Sequence, residues 1–160
     1  MQKTSKDGLR THVIELMKLR GAHADFDSAI AGFDPGLRGA KPPGAPHTAW
    51  QLLEHMRIAQ HDILDFSRNP DYKEPHWPDD YWPPSELPPD PEAWDRSCEQ
   101  FRKDAADMEA LVDDPSSDLF AQIPHGSGQT LLREALLVAD HNAYHLGQLV
   151  LLRKLLGDWK

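Results

Sequence analysis

Apolar positions along this chain recur at spacings of three and four rather than two, which predicts helices throughout. From about Ser5 to Phe33, Leu9, Val13 and Leu16 fall on one stripe. Continued at the same spacing, the stripe reaches His23, Asp27 and Ile30 and turns two polar side chains inward, unless Gly21, a weak helix former, lets the phase slip and turns both outward. A turn-rich stretch from Asp34-Pro35-Gly36 to Pro46 cannot stay helical. A second helix starts near His47 or Thr48, which serves as N-cap, and runs to about Ser67 before Asn69-Pro70, with Leu52, Met56, Ala59, Ile63 and Phe66 along its core line. The third, from Pro91 or Glu92 to Asp113, has the most regular pattern: Trp94, Cys98, Phe101, Ala105, Met108 and Val112. The last runs from about Gln129 to Leu156, stops at Gly157, and is apolar around more than half its circumference, so it should be the most buried.

Between the second and third helices, residues 69–91 carry Pro70, Pro75, Pro78, Pro83, Pro84, Pro88, Pro89 and Pro91 interleaved with Trp77, Tyr81 and Trp82. Proline excludes regular ladders and the aromatics need something to cover, so this is an ordered strap that either crosses the helices or lines a pocket. Trp77 and Trp82 are read as packing residues. No strand-like alternation, repeat or low-complexity tract competes. The expectation is an all-α four-helix bundle with a long Pro/aromatic-rich connection, forming one domain over residues 1–160.

Charge narrows the partners. Acidic residues number 26 against 17 basic ones, a formal charge of −9, and Lys/Arg residues never cluster beyond a pair. A phosphate-tracking surface needs the opposite balance, so nucleic acid and anionic membrane are not expected partners. The polar start, Met1-Gln2-Lys3-Thr4-Ser5-Lys6-Asp7, has no apolar run of a signal or spanning segment, and the single cysteine, Cys98, sits on a core stripe and agrees with a reducing compartment. A cytoplasmic location is expected.

The candidate chemistry lies in Ala139-Asp140-His141-Asn142-Ala143-Tyr144-His145-Leu146-Gly147-Gln148. Two imidazoles four residues apart stand about 40° apart on one helix face, one turn above the other, the arrangement that grips one metal ion. A catalytic site of this kind uses three protein ligands and keeps a position open, so a third is needed. On the second helix His55 lies about 60° from the core line and near the interior, whereas His61 falls on the opposite face. His55 also sits at mid-helix, as His141 does, so the two can meet if these helices are neighbours, somewhat better if they are antiparallel. His141 and His145 with His55 are therefore the expected metal ligands, and a metal-held water or thiolate the expected nucleophile.

Glutamate is absent between His141 and His145, so the general base of an HExxH protease is missing. His23 and Asp27 are candidates for a proton acceptor or substrate anchor, against the alternative of a hydrogen-bonded pair near a helix end. Gln148 and Asn142 are expected to support ligands rather than to ligate. His125 is expected in a loop, and His12, His47, His61 and His76 at solvent or in turns.

Leu52-Leu53-Glu54-His55-Met56, together with Asp140-His141-Asn142-Ala143-Tyr144-His145-Leu146-Gly147-Gln148, resembles the DinB/YfiT-like superfamily of metal-dependent enzymes, and Gly21-Ala22-His23 and Tyr81-Trp82-Pro83 are similar to one branch of it. The resemblance implies a four-helix bundle holding a divalent metal, often nickel or zinc, on three histidines, here His55, His141 and His145. It implies a homodimer, and a small-molecule substrate handled by a thiol-dependent transferase or a hydrolase, with a low-molecular-weight thiol as one form of cosubstrate. The competing reading is a non-catalytic helical binding or stress-related protein in which the histidines are structural.

Overall fold

A computed structural model describes residues 5–159, which fold into five α-helices: α1 (Ser5–Met17), α2 (Phe26–Ile30), α3 (Ala49–Arg68), α4 (Ala93–Asp113) and α5 (Leu131–Leu155). Single 3-10 turns occur at Pro35–Leu37 and Asp79–Tyr81, and among the described residues there is no strand, only an isolated bridge between Gln122 and Thr130. Among the described residues no helix is long and apolar enough to cross a membrane.

Two of the three long helices, α3 and α5, start where their caps dictate. Thr48 and Gln51 form a reciprocal capping box at the head of α3, and the Thr130 side chain accepts from the Arg133 amide at the head of α5. At the far end of α5 the chain turns through Gly157 at φ +74°, a left-handed position that glycine occupies without strain. The expected core lines are buried: Leu52, Met56, Ala59 and Ile63 on α3, and Trp94, Cys98, Phe101, Met108 and Val112 on α4.

The first helix departs from the expectation. Instead of one helix to Phe33, α1 stops at Met17, Leu19 takes a left-handed conformation at φ 58°, and the Asp25 carboxylate caps the short α2 by accepting from the Ser28 amide at 2.8 Å. A leucine in that conformation costs on the order of 1 kcal/mol. Burial of its side chain to 5 % exposure offsets the cost. The stripe itself is also rotated: Val13 and Met17 are buried, while Leu16 is 53 % exposed. The break resets the helical phase, so His23 and Asp27 face solvent.

Side-chain pairs fix the directions. Gln60 meets Asn142 and His55 meets His145, so residue numbers rise along α3 as they fall along α5, and these two helices are antiparallel. Toward α4, Glu54 meets Ser97, Gln60 meets the Phe101 carbonyl, His61 meets Asp104 and Arg68 meets Asp107, so α3 and α4 are parallel. A parallel neighbour has to be reached by returning the full length of α3, roughly 30 Å at 1.5 Å per residue. Residues 69–92 make that return. The Tyr72 and Tyr81 hydroxyls both donate to Asp62, the Tyr81 carbonyl reaches His55, and Thr48 Oγ1 donates to the Glu86 carbonyl. The strap thus descends α3 from its last turns to its cap, passing His55 on the way.

Candidate metal centre

His55, His141 and His145 come from two helices packed face to face, and their ring nitrogens lie within 4.8 Å of one another. The His55 Nε2 is 3.1 Å from the Nε2 of His145 and 3.1 Å from that of His141. His55 and His145 are buried, at 3 % and 8 % exposure, and His141 is half-buried.

What lies behind each ring decides what lies in front. The His55 Nδ1 donates at 2.8 Å to the Tyr81 carbonyl, which can only accept, so the proton of the neutral ring sits on Nδ1 and Nε2 carries a lone pair. The His145 Nδ1 donates at 2.8 Å to Gln148 Oε1, with the same consequence. Two bare Nε2 atoms 3.1 Å apart repel unless a proton or a cation lies between them. Burial, together with the neighbouring imidazoles, pushes the pKa of His55 and of His141 down to about 4, and burial lowers that of His145, so a proton is disfavoured at neutral pH. A cation at the point the two lone pairs share would satisfy both. Two nitrogens each about 2.0–2.1 Å from one ion at a tetrahedral angle stand roughly 3.4 Å apart, close to the observed separation. The donor set and its spacing therefore fit a metal.

The strap supplies the roof. The Trp82 indole lies flat on the His55 ring at 3.9 Å between centroids with 1° between planes, and His47 stacks on the indole's other face at 4.0 Å and 18°. Trp82 is thus a wall of the site as well as a packing residue. His47, expected at a turn or in solvent, is half-buried there. Trp77 in contrast is 67 % exposed. Between the two α5 histidines Tyr144 points outward, 65 % exposed, with its ring edge against His145 at 4.9 Å.

The supporting candidates divide. Gln148 contacts His145 directly, whereas the Asn142 Nδ2 donates at 2.8 Å to Gln60 Oε1, whose own Nε2 donates to the Phe101 carbonyl, a buried chain linking α5, α3 and α4. His23 and Asp27 do not join the imidazoles: the ring of His23 contacts the Ala24 carbonyl at 2.9 Å, and Asp27 pairs with Arg102 at 2.8 Å, both exposed. His61 is on the opposite face of α3 as expected, paired with Asp104 at 3.1 Å. His125 is exposed and contacts the Phe66 carbonyl, and His12 and His76 are exposed. Cys98 is buried, and desolvation pushes its thiol up to about 12, which removes it as a nucleophile. The reading from sequence missed Tyr81, Trp82 and His47 as parts of the site. The signal for Tyr81 and Trp82 was an aromatic pair in a proline-rich segment, and His47 carried none.

An all-helical protein in which antiparallel helices present three converging imidazoles is compatible with a bundle-type metal site. The chain belongs to the DinB superfamily, whose family model matches residues 18–149 and so includes all three histidines. No curated protein and no solved structure matches it.

Proposed function

We propose that this chain is a divalent-metal-dependent enzyme acting on a small molecule, with His55, His141 and His145 as the ligands of the ion, zinc or nickel as the resemblance to DinB/YfiT-like proteins implies. The observation that carries the reading is the pair of Nδ1 anchors, which aim two lone pairs at one point that a proton does not fill. When bound, such an ion supplies Lewis acidity and makes a water or thiol nucleophilic at neutral pH. The residues of the chain do the rest. His55, held by the strap, and His145, held by Gln148, fix the direction of coordination, and three protein ligands leave room for substrate. Trp82 shields the His55 ring from water on one face. Transfer of a thiol to a small electrophile and hydrolysis both use this arrangement, and a low-molecular-weight thiol suits the first. In this reading α1, α3, α4 and α5 form the four-helix bundle of DinB/YfiT-like proteins, and the protein works as a cytoplasmic homodimer.

The test is elemental analysis of protein purified without a histidine tag or chelating resin. One equivalent of a transition metal per chain, lost in His145→Ala with the helical content retained, is the expected result. Substoichiometric metal that His145→Ala leaves unchanged would sink the reading. A fourth protein ligand closing the coordination sphere would make the site structural instead.

A further inference from the structure

A half-open cavity of about 330 Å3 lies one helical turn past the imidazoles, between the last turns of α5 and the loop of residues 43–47. Leu52, Leu151, Leu152 and Leu155 form its floor and one side, and Pro43 and Pro46 form the other. No acidic or basic chain other than His47 lines it, in a protein of net charge −9, and burial and the nearby Lys41 hold the His47 pKa below its ordinary value. Two of its walls are shared with the metal centre. Gln148 Oε1 accepts from His145, and His47 is the outer member of the stack whose inner member is His55. The cavity therefore adjoins the metal centre through His47 and Gln148.

The walls are set before any ligand arrives. Leu52 and Leu152 are 3 % and 4 % exposed, and the loop is braced by the Ala45 amide on the Pro42 carbonyl at 3.0 Å and by Thr48 on Glu86. Leu151 and Leu155, in contrast, are 57 % and 60 % exposed, so the cavity presents apolar side chains to water. Covering them is favourable by the hydrophobic effect alone. The volume lies at the low end of the roughly 300–1,000 Å3 of small-ligand pockets, room for a short apolar group rather than a protein helix.

We infer that this cavity binds the uncharged aliphatic or aryl group of an amphipathic small-molecule substrate whose polar head sits at the three imidazoles. The inference rests on the metal-dependent reading for the position of the head, and on the cavity alone for the tail.

The experiment separates the two. Straight-chain alkanols of three to eight carbons are titrated into the protein while its leucine methyl signals are followed by NMR. Shifts confined to Leu52, Leu151, Leu152 and Leu155 are expected, with affinity rising about fourfold per methylene until the cavity is full. Leu151→Asp, an exposed position whose change leaves folding intact, should abolish that rise. Affinity independent of chain length, a rise that survives Leu151→Asp, or a wild-type dimer that covers these leucines against alkanols and is split by Leu151→Asp, would each overturn the proposal, the last by showing a second copy as the occupant. The matching alkanethiols are then added to Co2+-loaded protein. The same dependence on chain length with a sulfur-to-cobalt charge-transfer band places head and tail together. Cobalt bound without that band overturns the placement of the head at the imidazoles, whereas protein that takes up no cobalt but still binds alkanols removes the metal-dependent reading and leaves the cavity standing.

Discussion

The two sides of the metal centre are held by different means. On the α5 side, His145 is anchored by a side chain one turn away on the same helix, Gln148, so ligand and support share one rigid element. On the α3 side, His55 is anchored by a backbone carbonyl and an indole face from Tyr81-Trp82, in a segment without regular structure. That segment has to be positioned by something else, and Asp62 does it, accepting from the Tyr72 and Tyr81 hydroxyls at 2.7 Å each, two turns along α3 from His55. Both tyrosines are pushed above their ordinary pKa by burial and by this carboxylate, so they remain donors. A helix supports its own ligand locally, whereas a strap supports a ligand only through the contacts that pin the strap.

Acid should erase the difference between the two sides and produce the largest effect. With the metal chelated, His55 and His141 stay neutral in the folded chain down to about 4, while the unfolded chain protonates them near 6.5. Between those values the unfolded state binds protons that the folded state does not, so stability is fully present above about pH 6.5, falls as pH drops, and levels off below about pH 4. Urea midpoints of chelated protein at pH 7, 5.5 and 4 should fall in that order, with a shallower trend in His55→Gln. A flat profile would mean that the rings are not desolvated as the geometry requires.

Next in size is the helix-side anchor. Gln148→Leu keeps the volume and removes the acceptor of the His145 Nδ1 proton, and partners of this kind are worth about 10–100-fold in metal affinity. Competition with a chromophoric chelator measures it. Because Gln148 is partly exposed on α5, the melting temperature of the chelated protein should hardly move.

The strap-side anchor should follow with about a tenfold loss in Asp62→Asn, since the carbonyl of Tyr81 is still present and only its position is loosened. This variant should also destabilise the chelated protein by ~1–3 kcal/mol, because two part-buried hydroxyls lose a charged acceptor. Tyr72→Phe, which leaves the Tyr81 contact intact, should show the smaller stability loss and little change in metal affinity. Equal effects of the two variants would show that Asp62 does not act through Tyr81.

The same contrast explains what could be read from the chain alone. Helical phase selected His55 over His61 and paired it with His141 and His145, because periodic elements place side chains by arithmetic. The cap at Thr48 and the stop at Gly157 set the start of α3 and the end of α5 to within a few residues. The first helix was misjudged because Leu19 in a left-handed turn has no local signature: a tertiary gain, its burial, overrides propensity there. The strap escaped for a related reason. The Tyr81 contact to His55 uses a carbonyl that every residue has, and Trp82 reads as an ordinary packing aromatic until α3 and α4 are known to be parallel and the strap is known to run back past His55.

The smallest expected effect is the most discriminating. If the helix anchor and the strap anchor act on separate rings, Gln148→Leu and Asp62→Asn should lower metal affinity independently, so the double variant should show the sum of the two losses within about 0.3–0.5 kcal/mol. The contacts give a reason to expect this, since Gln148 reaches only His145 among the imidazoles and Asp62 reaches the site only through Tyr81 and His55. Two paths could couple them: the direct contact of the His55 and His145 rings, and the His47–Trp82–His55 stack, because His47 and Gln148 line the same cavity. Trp82→Leu separates the cases: it removes the stack and leaves both hydrogen bonds. Any coupling that disappears in that background runs through the indole, and coupling that persists would mean that the two sides of the centre move as one unit and that the local support seen on α5 is not independent of the strap.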